Sequence, residues 1–151
     1  MWSNYVWNMF DFAADARNQG GEPGMNHKGL VTFDRKIKKD SFYLYKAYWN
    51  PEPMVHIAGK RYQNRPEAVT TVKVYTNLPS VTLYVNGEAV ATRTCACRGG
   101  KVFAFRVKLS QRTELEAVAG AVRDQAVLFR VHAPDPSYRL NKKTAGGGNW
   151  T

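Results

Sequence analysis

The sequence is poor in cysteine, and neither of its two cysteines has the partners that a disulfide or a metal site needs. Cys95 and Cys97 are separated by one alanine in a chain of 151 residues. In an extended strand their Cα atoms would lie about 6.5 Å apart on one face, an awkward separation for a disulfide. His27, His56 and His132 show no zinc-ligand spacing with them. We therefore expect two free thiols and no metal.

The chain also lacks long apolar runs and has few acidic residues. No stretch approaches the roughly 18 apolar residues of a membrane span, and the start lacks the pattern of a signal peptide. Twelve acidic residues stand against 22 basic ones, a net charge of +10. The densest basic run, 35–39, is typical of a solvated surface leading into a helix. We expect neither nucleic acid nor membrane as a partner; nucleic-acid binding remains an alternative that rests on charge alone.

Common catalytic patterns are absent as well. The sequence contains no Ser/His/Asp triad pattern, no P-loop and no Rossmann fingerprint. A complete TIM barrel needs about 250 residues and does not fit. A hydrophobic content of 44% and an aromatic content of 13% nevertheless indicate a folded globular protein.

The first fifty residues predict a strand, a loop and a helix. Residues 5–12 are apolar on both faces, as in a buried parallel strand. The loop 17–29 is rich in glycine and is expected to be mobile or specially shaped. A helix is expected to begin near Asp40 and to end before Pro51. Its apolar face would carry Phe42, Tyr45 and Trp49.

Residues 54–133 predict about seven short strands. Apolar residues alternate with polar ones, and Asn86-Gly87 is a strong signal for a type I′ hairpin turn. The final strand would turn Val127, Phe129 and Val131 inward. This pattern suits an immunoglobulin-like sandwich. The proline- and glycine-containing segment 134–151 is expected to be a linker or tail.

Specific stretches resemble a known enzyme family. In this order and spacing, VWNMFDF, MNHKGLVTFDR and KKDSFYLYKAYW resemble the last β/α unit of glycoside hydrolase family 2 barrels, the family of β-galactosidases and β-glucuronidases. TTVKVYTNLPSVTLYVNG resembles the sandwich that follows the barrel in bacterial β-galactosidases. The implied fold is mainly β, an immunoglobulin-like β-sandwich preceded by a strand–loop–helix remnant of a (β/α)8 barrel. Residues 1–50 would be the remnant, 54–133 the sandwich and 134–151 the linker or tail.

The resemblance implies a C-terminal fragment of a retaining β-galactosidase, without cofactor and with a carbohydrate substrate. The parent protein would be bacterial and periplasmic or secreted. Retaining glycosidases need two carboxyl groups about 5–5.5 Å apart. No glutamate here lies in a matching motif, so the chain holds no catalytic residue and is expected to be inactive alone. The alternatives are a β-glucuronidase fragment and a non-catalytic carbohydrate- or protein-interaction module.

The resemblance also implies four substrate-binding residues. Trp7 lies in the strand that floors the sugar pocket in the family, where an indole stacks on a pyranose; core packing is the alternative. Asp11 holds a polar partner at the mouth of that strand, or makes a structural hydrogen bond. Asn26 and Lys28 match an Asn-x-Lys motif that contacts the sugar carboxylate in β-glucuronidases, and an ammonium with an amide suits a carboxylate. Similar stretches occur in galactosidases, so the motif leaves the sugar open.

Overall fold

The computed structural model describes residues 5–19, 22–95 and 101–138. These residues form two compact units: unit 1 comprises those of 1–42 together with Tyr138, and unit 2 comprises those of 43–137. The predicted fold class is confirmed, because the chain is mainly β with a β-sandwich. The division into a barrel remnant, a sandwich and a tail stays a prediction. No helix in the described parts of the chain is both long enough and apolar enough to span a membrane.

The start of unit 1 differs from the predicted buried strand over 5–12. The backbone of 8–11 is hydrogen-bonded on one side, to Leu30 and Val31, through N–H···O distances of 2.9–3.1 Å. Tyr5, Trp7 and Met9 are 89%, 75% and 47% exposed. A parallel strand is buried when it has neighbours and covering layers on both faces. Among the described residues this segment has a hydrogen-bonded neighbour along one edge, and three of its side chains are not covered by another layer. It is therefore not a strand buried on both sides.

The predicted glycine-rich loop 17–29 contains an antiparallel hairpin instead. Strand β1, Phe12–Gln19, pairs with β2, Glu22–Asn26, with Phe12 opposite Asn26. Residues 20 and 21, which join the strands, lie outside the described residues. The strands were missed because alanine, aspartate, proline and glycine are weak strand formers. Their pairing satisfies backbone groups that a loop would leave to water.

The predicted helix is present and begins where expected. Helix α1 covers Asp40–Trp49, with Asp40 in the first turn, where a carboxylate favours the helix dipole. Its predicted apolar face is only partly correct. Tyr45 and Trp49 do lie together, with ring centroids 4.8 Å apart. However, Trp49 is 61% exposed and the buried residue of α1 is Ala47.

Unit 2 is a two-sheet sandwich with eight described strands. One sheet has the order β4-β10-β9-β6-β7 and the other has the order β3-β5-β8. The strand bounds are β3 Val55–Ile57, β4 Asn64–Arg65, β5 Val69–Thr76, β6 Ser80–Val85, β7 Glu88–Thr94, β8 Val102–Lys108, β9 Arg112–Ala119 and β10 Val122–Arg130. A short 3₁₀ turn, Pro136–Tyr138, follows. Strand β4, two residues long and parallel to β10, was not predicted.

The sandwich core is built from the predicted alternating positions, with one strand as the exception. Val72, Val74, Leu83 and Phe105 are at most 2% exposed. In β10, by contrast, the core residues are Ala126 and Leu128, so the predicted inward face of Val127, Phe129 and Val131 is wrong. The two-residue turn after β9 sets this register, placing Leu115 opposite Ala126. An odd-numbered core residue of β9 therefore faces an even-numbered residue of β10, and a slip by one residue would exchange the faces.

One half-buried carboxylate joins the two sheets of unit 2. Asp124 of β10 accepts a hydrogen bond from the backbone N–H of Ile57 in β3 at 2.8 Å. Both its oxygens also accept from the Lys60 ammonium, at 2.7 and 2.9 Å. Beside it, His56 is buried and stacks on Tyr43, with ring centroids 3.7 Å apart. Cys95 is a half-buried free thiol, and Cys97 lies outside the described residues.

The predicted type I′ hairpin is confirmed at Asn86 and Gly87, whose φ angles are +52° and +86°. We expect Gly87→Val to destabilise unit 2 by about 1 kcal/mol or more, because a β-branched residue is strained at positive φ. Thermal unfolding measures this change. Glu88→Val is the control, since it adds the same side chain one residue later, in an extended strand. Equal melting temperatures for the two variants would contradict the expected strain.

Candidate functional site

The candidate site lies in unit 1, where a buried carboxylate holds two segments of chain together. Asp11 is 4% exposed. Its Oδ1 accepts hydrogen bonds from the Gly29 backbone N–H at 2.8 Å and from the Lys39 Nζ at 2.6 Å. Its Oδ2 lies 3.4 Å from Nδ1 of His27. We call these four residues, Asp11, His27, Gly29 and Lys39, the Asp11 cluster.

Further contacts of Lys39 and His27 stabilise the Asp11 cluster. The Lys39 ammonium also donates to the backbone carbonyl of His27 at 2.9 Å. On its other side, the His27 ring approaches Glu22, with Nε2 3.3 Å from Oε2. Asp11 thus has a cation and an N–H on one oxygen and an imidazole near the other. This geometry fixes the position of the segment that runs from Asn26 to Gly29.

Gly29 is required for this arrangement because the backbone passes very close to it. A Cβ atom at position 29 would collide with the backbone atoms of Phe10 and Asp11. Only glycine lets two backbones approach so closely. The end of the predicted strand 5–12 and the Asn-x-Lys segment are therefore in direct contact through this residue.

A tight turn brings Lys39 to Asp11. The hydroxyl of Thr32 donates to the Asp34 carboxylate at 2.6 Å, and the backbone N–H of Lys36 donates to the same oxygen at 3.2 Å. These donors hold the pKa of Asp34 below its usual value, the Thr32 hydroxyl most strongly. Arg35 has a φ of +63°, and the chain reverses so that Val31 bridges Lys38. The next residue, Lys39, then reaches the buried carboxylate.

Three of the four predicted site residues come together here. Asp11 belongs to the cluster, and Asn26, only 2% exposed, accepts through Oδ1 a hydrogen bond from the backbone N–H of Lys28 at 3.0 Å. Lys28 is half-buried. Trp7 stands apart from these hydrogen bonds on its exposed segment, and its peptide bond to Asn8 is cis. Among the described residues Trp7 is therefore not packed in a core.

The amide of Asn26 leaves a donor group without a partner. The bond from Lys28 N–H identifies the accepting atom of Asn26 as oxygen, which makes the other atom an NH₂ group. No acceptor for that NH₂ is found among residues 5–19, 22–95 and 101–138. Buried amide donors almost always have a partner, from the protein, from ordered water or from a bound molecule. An oxygen acceptor would satisfy this one.

Lys39, His27 and Gly29 were not predicted as site residues. Lys39 was assigned to a solvated basic run, although it is a partner of the buried Asp11. The available signal was Asp11 itself, because a carboxylate at the end of an apolar segment needs a cation. The described residues contain no group of three or more side chains arranged to hold a metal ion.

Comparison with known proteins identifies the enzyme class of the relatives. The sequence matches no protein-family model. It is 52% identical over 88 residues to a β-glucuronidase from Bacteroides fragilis, a match that covers 58% of this chain and 13% of the relative. The chain therefore spans only a small part of this relative's length.

Solved structures support the same class. An FMN-binding β-glucuronidase from Faecalibacterium prausnitzii L2-6 is 50% identical, with a TM-score of 0.86, over 93% of this chain and 21% of that protein. A provisionally named β-galactosidase from Bacteroides fragilis is 36% identical, with a TM-score of 0.73, over 82% of this chain and 19% of that protein. The homologues are thus glycoside hydrolases, and the chain corresponds to part of one.

Proposed function

We propose that this chain is the C-terminal part of a retaining β-glucuronidase and that unit 1 contributes the contacts to the sugar carboxylate. The predicted preference for galactosides gives way here to the alternative, because the β-glucuronidase name recurs among the most similar proteins. The catalytic carboxyl pair would lie elsewhere in the complete enzyme. The proposal concerns binding and orientation of the substrate.

The observation that carries the proposal is the buried NH₂ group of Asn26 next to Lys28, which has no acceptor among the described residues. An amide donor and an ammonium on the same short segment form charge-assisted hydrogen bonds to a carboxylate. The Asp11 cluster supports this segment from behind, which limits the conformational entropy lost when a sugar binds. Asp11 accepts hydrogen bonds from Lys39 and Gly29 through one carboxylate oxygen. It would therefore position the segment and not contact the sugar.

The exposed apolar row of Tyr5, Trp7 and Met9 supports a larger parent protein. These side chains lie at alternate positions of the sequence and are all exposed. Large exposed apolar side chains grouped in the chain are a feature of interfaces and binding sites. In the complete enzyme, Trp7 would stack on the sugar ring while its neighbours contact further residues of the protein.

β-Galactosidase activity is the second candidate. It rests on the 36% identity to the provisionally named β-galactosidase and on the NMFDFAADAR segment. A galactoside has a neutral hydroxymethyl group where a glucuronide has a carboxylate. A β-glucuronidase therefore requires Lys28 to bind the sugar carboxylate, whereas a β-galactosidase does not.

The test uses the complete enzyme that contains this chain, with chromogenic β-glucuronide and β-galactoside substrates. We expect Lys28→Ala to lower kcat/KM for the glucuronide by about tenfold to a hundredfold, the value of a hydrogen bond to a charged group. The galactoside rate should change little. Trp7→Ala should lower both rates, because stacking does not depend on the carboxylate.

Lys36→Ala is the matched control, since Lys36 is an exposed lysine of the same unit. Loss of both activities in Lys28→Ala to the same degree would contradict carboxylate recognition by this residue. A galactoside rate far above the glucuronide rate in the unmodified enzyme would favour the second candidate.

A further inference from the structure

An unpaired group of cations occupies one side of the sandwich in unit 2. Lys73 of β5 and Arg106 and Lys108 of β8 are exposed on the outer face of the three-stranded sheet, and Arg93 is exposed on β7. Thr71 pairs with Arg106 and Lys73 pairs with Ala104, so Lys73 and Arg106 are diagonal neighbours about 7–8 Å apart. We call these four residues the cationic edge.

Three other cations of unit 2, unlike those of the cationic edge, have carboxylate partners. Lys60 binds Asp124, Arg112 binds Glu114, and the Arg123 guanidinium lies 3.5 Å from Glu116. The members of the cationic edge have no such ion pair in the described part of the chain. The paired residues of β5 and β8 contain no carboxylate at all. Like charges on neighbouring strands destabilise a sheet, and an anion would relieve that repulsion.

Two of these cations line one cavity. Its volume is about 220 Å³, and its lining includes Thr71, Val90, Arg93, Ala104, Phe105 and Arg106. The guanidinium of Arg93 lies 5.9 Å from the Phe105 ring centroid, which orients it across the cavity. Two guanidinium groups beside a hydroxyl suit a carboxylate or sulfate group, because each presents a planar fork of N–H donors.

The surroundings of the cavity favour a saccharide over a nucleic acid. β7 and β8 are the edge strands of their sheets, so alternate backbone N–H and C=O groups of each strand point away from the paired neighbour. Such groups match the alternating hydroxyls of a sugar chain. Sequence-tolerant binding of single-stranded nucleic acid instead uses exposed aromatic rings for stacking. Phe105, the aromatic residue lining the cavity, is only 2% exposed.

We propose that the cationic edge binds an acidic polysaccharide, with Arg93 and Arg106 holding its carboxylate or sulfate groups. The choice of a polysaccharide among polyanions rests also on the proposed function, since a glucuronide-cleaving enzyme acts on uronic acids. The cationic edge would then retain the polymer.

The test measures binding of polygalacturonate to the purified 151-residue chain at low ionic strength, by calorimetry. We expect Arg93→Gln/Arg106→Gln to weaken binding by about tenfold or more, which corresponds to about 1.4 kcal/mol. The matched control is Lys46→Gln/Arg61→Gln, which removes the same number of charges from exposed positions of unit 2. Its affinity should change less than about twofold, because distant exposed charges are screened. Unchanged melting temperatures would show that both variants are folded.

Three outcomes would overturn the proposal. They are equal losses in the two double variants, no binding by the unmodified chain, and tighter binding of duplex DNA or polyglutamate than of polygalacturonate. Neutral dextran should not bind. The calorimetric experiment measures binding without hydrolysis. Lack of polysaccharide binding would therefore not contradict the proposed glucuronidase function, and lack of glucuronidase activity would not contradict binding at the cationic edge.

Discussion

Replacing Asp11 with asparagine is expected to destabilise unit 1 by about 3 kcal/mol, because it leaves the Lys39 ammonium without its charge partner. The Lys39 side chain is only 21% exposed and its Nζ lies 2.6 Å from the carboxylate. Hydrogen exchange at the Val31 amide measures the effect, since this N–H donates to the Met9 carbonyl within unit 1. The loss should appear as faster exchange there.

Two further variants separate the buried pair from general effects of charge. Asp15→Asn removes an exposed carboxylate of the same unit and should leave exchange at Val31 unchanged. Asp11→Asn/Lys39→Met removes both charges and should recover much of the protection, because an apolar replacement of a buried pair is often nearly neutral. If the double variant were as unstable as the single one, the ion pair would not be the source of the effect.

Gly29→Ala is the second substitution expected to have a large effect. The added methyl group would collide with the backbone of Phe10 and Asp11, which cannot move aside as a flexible side chain does. We expect a loss of about 3 kcal/mol, at the upper end of the usual cost of overpacking. Exchange at the Leu30 amide, which donates to the Asn8 carbonyl, measures it directly.

Gly24→Ala provides the matched control in the same unit. Its φ of +72° strains any side chain, but a Cβ there would meet no atom within 4 Å. We expect the stability of unit 1 to fall by about 1 kcal/mol, because only the left-handed backbone conformation disfavours the added side chain. Similar losses for both glycine variants would show that close approach at Gly29 contributes little beyond backbone conformation.

The sandwich was predictable because its signals are local. Val72 and Val74, or Leu115 and Ala117, alternate with polar neighbours on the same strand, and each pattern is complete within a few residues. The turn at Asn86-Gly87 is likewise determined by two adjacent residues. The face of β10 was predicted wrongly because both faces carry apolar residues. Only pairing with β9 decides between Val127 and Leu128.

Unit 1 was harder to predict because its structure depends on distant pairing. The hairpin of β1 and β2 forms from residues with low strand propensity, and its connection contains Gly20 and Gly21. In the candidate site, Asn26 and Lys28 were predicted from a motif. Lys39 was missed because its partner lies 28 positions earlier, while the surrounding basic run is typical of a surface.

The pairing of β10 also constrains when the sandwich can close during synthesis. Strand β10 lies between β9, its neighbour in sequence, and β4, and its Asp124 binds the backbone of Ile57 67 positions earlier. Chains emerge from the ribosome at about 5–20 residues per second, and domains fold as units once complete. Ile57 and the edge of β4 therefore stay uncovered for several seconds, and the edge of β9 stays uncovered for a shorter time. Until Asp124 and Leu128 have emerged, these segments are open to wrong partners and to chaperones.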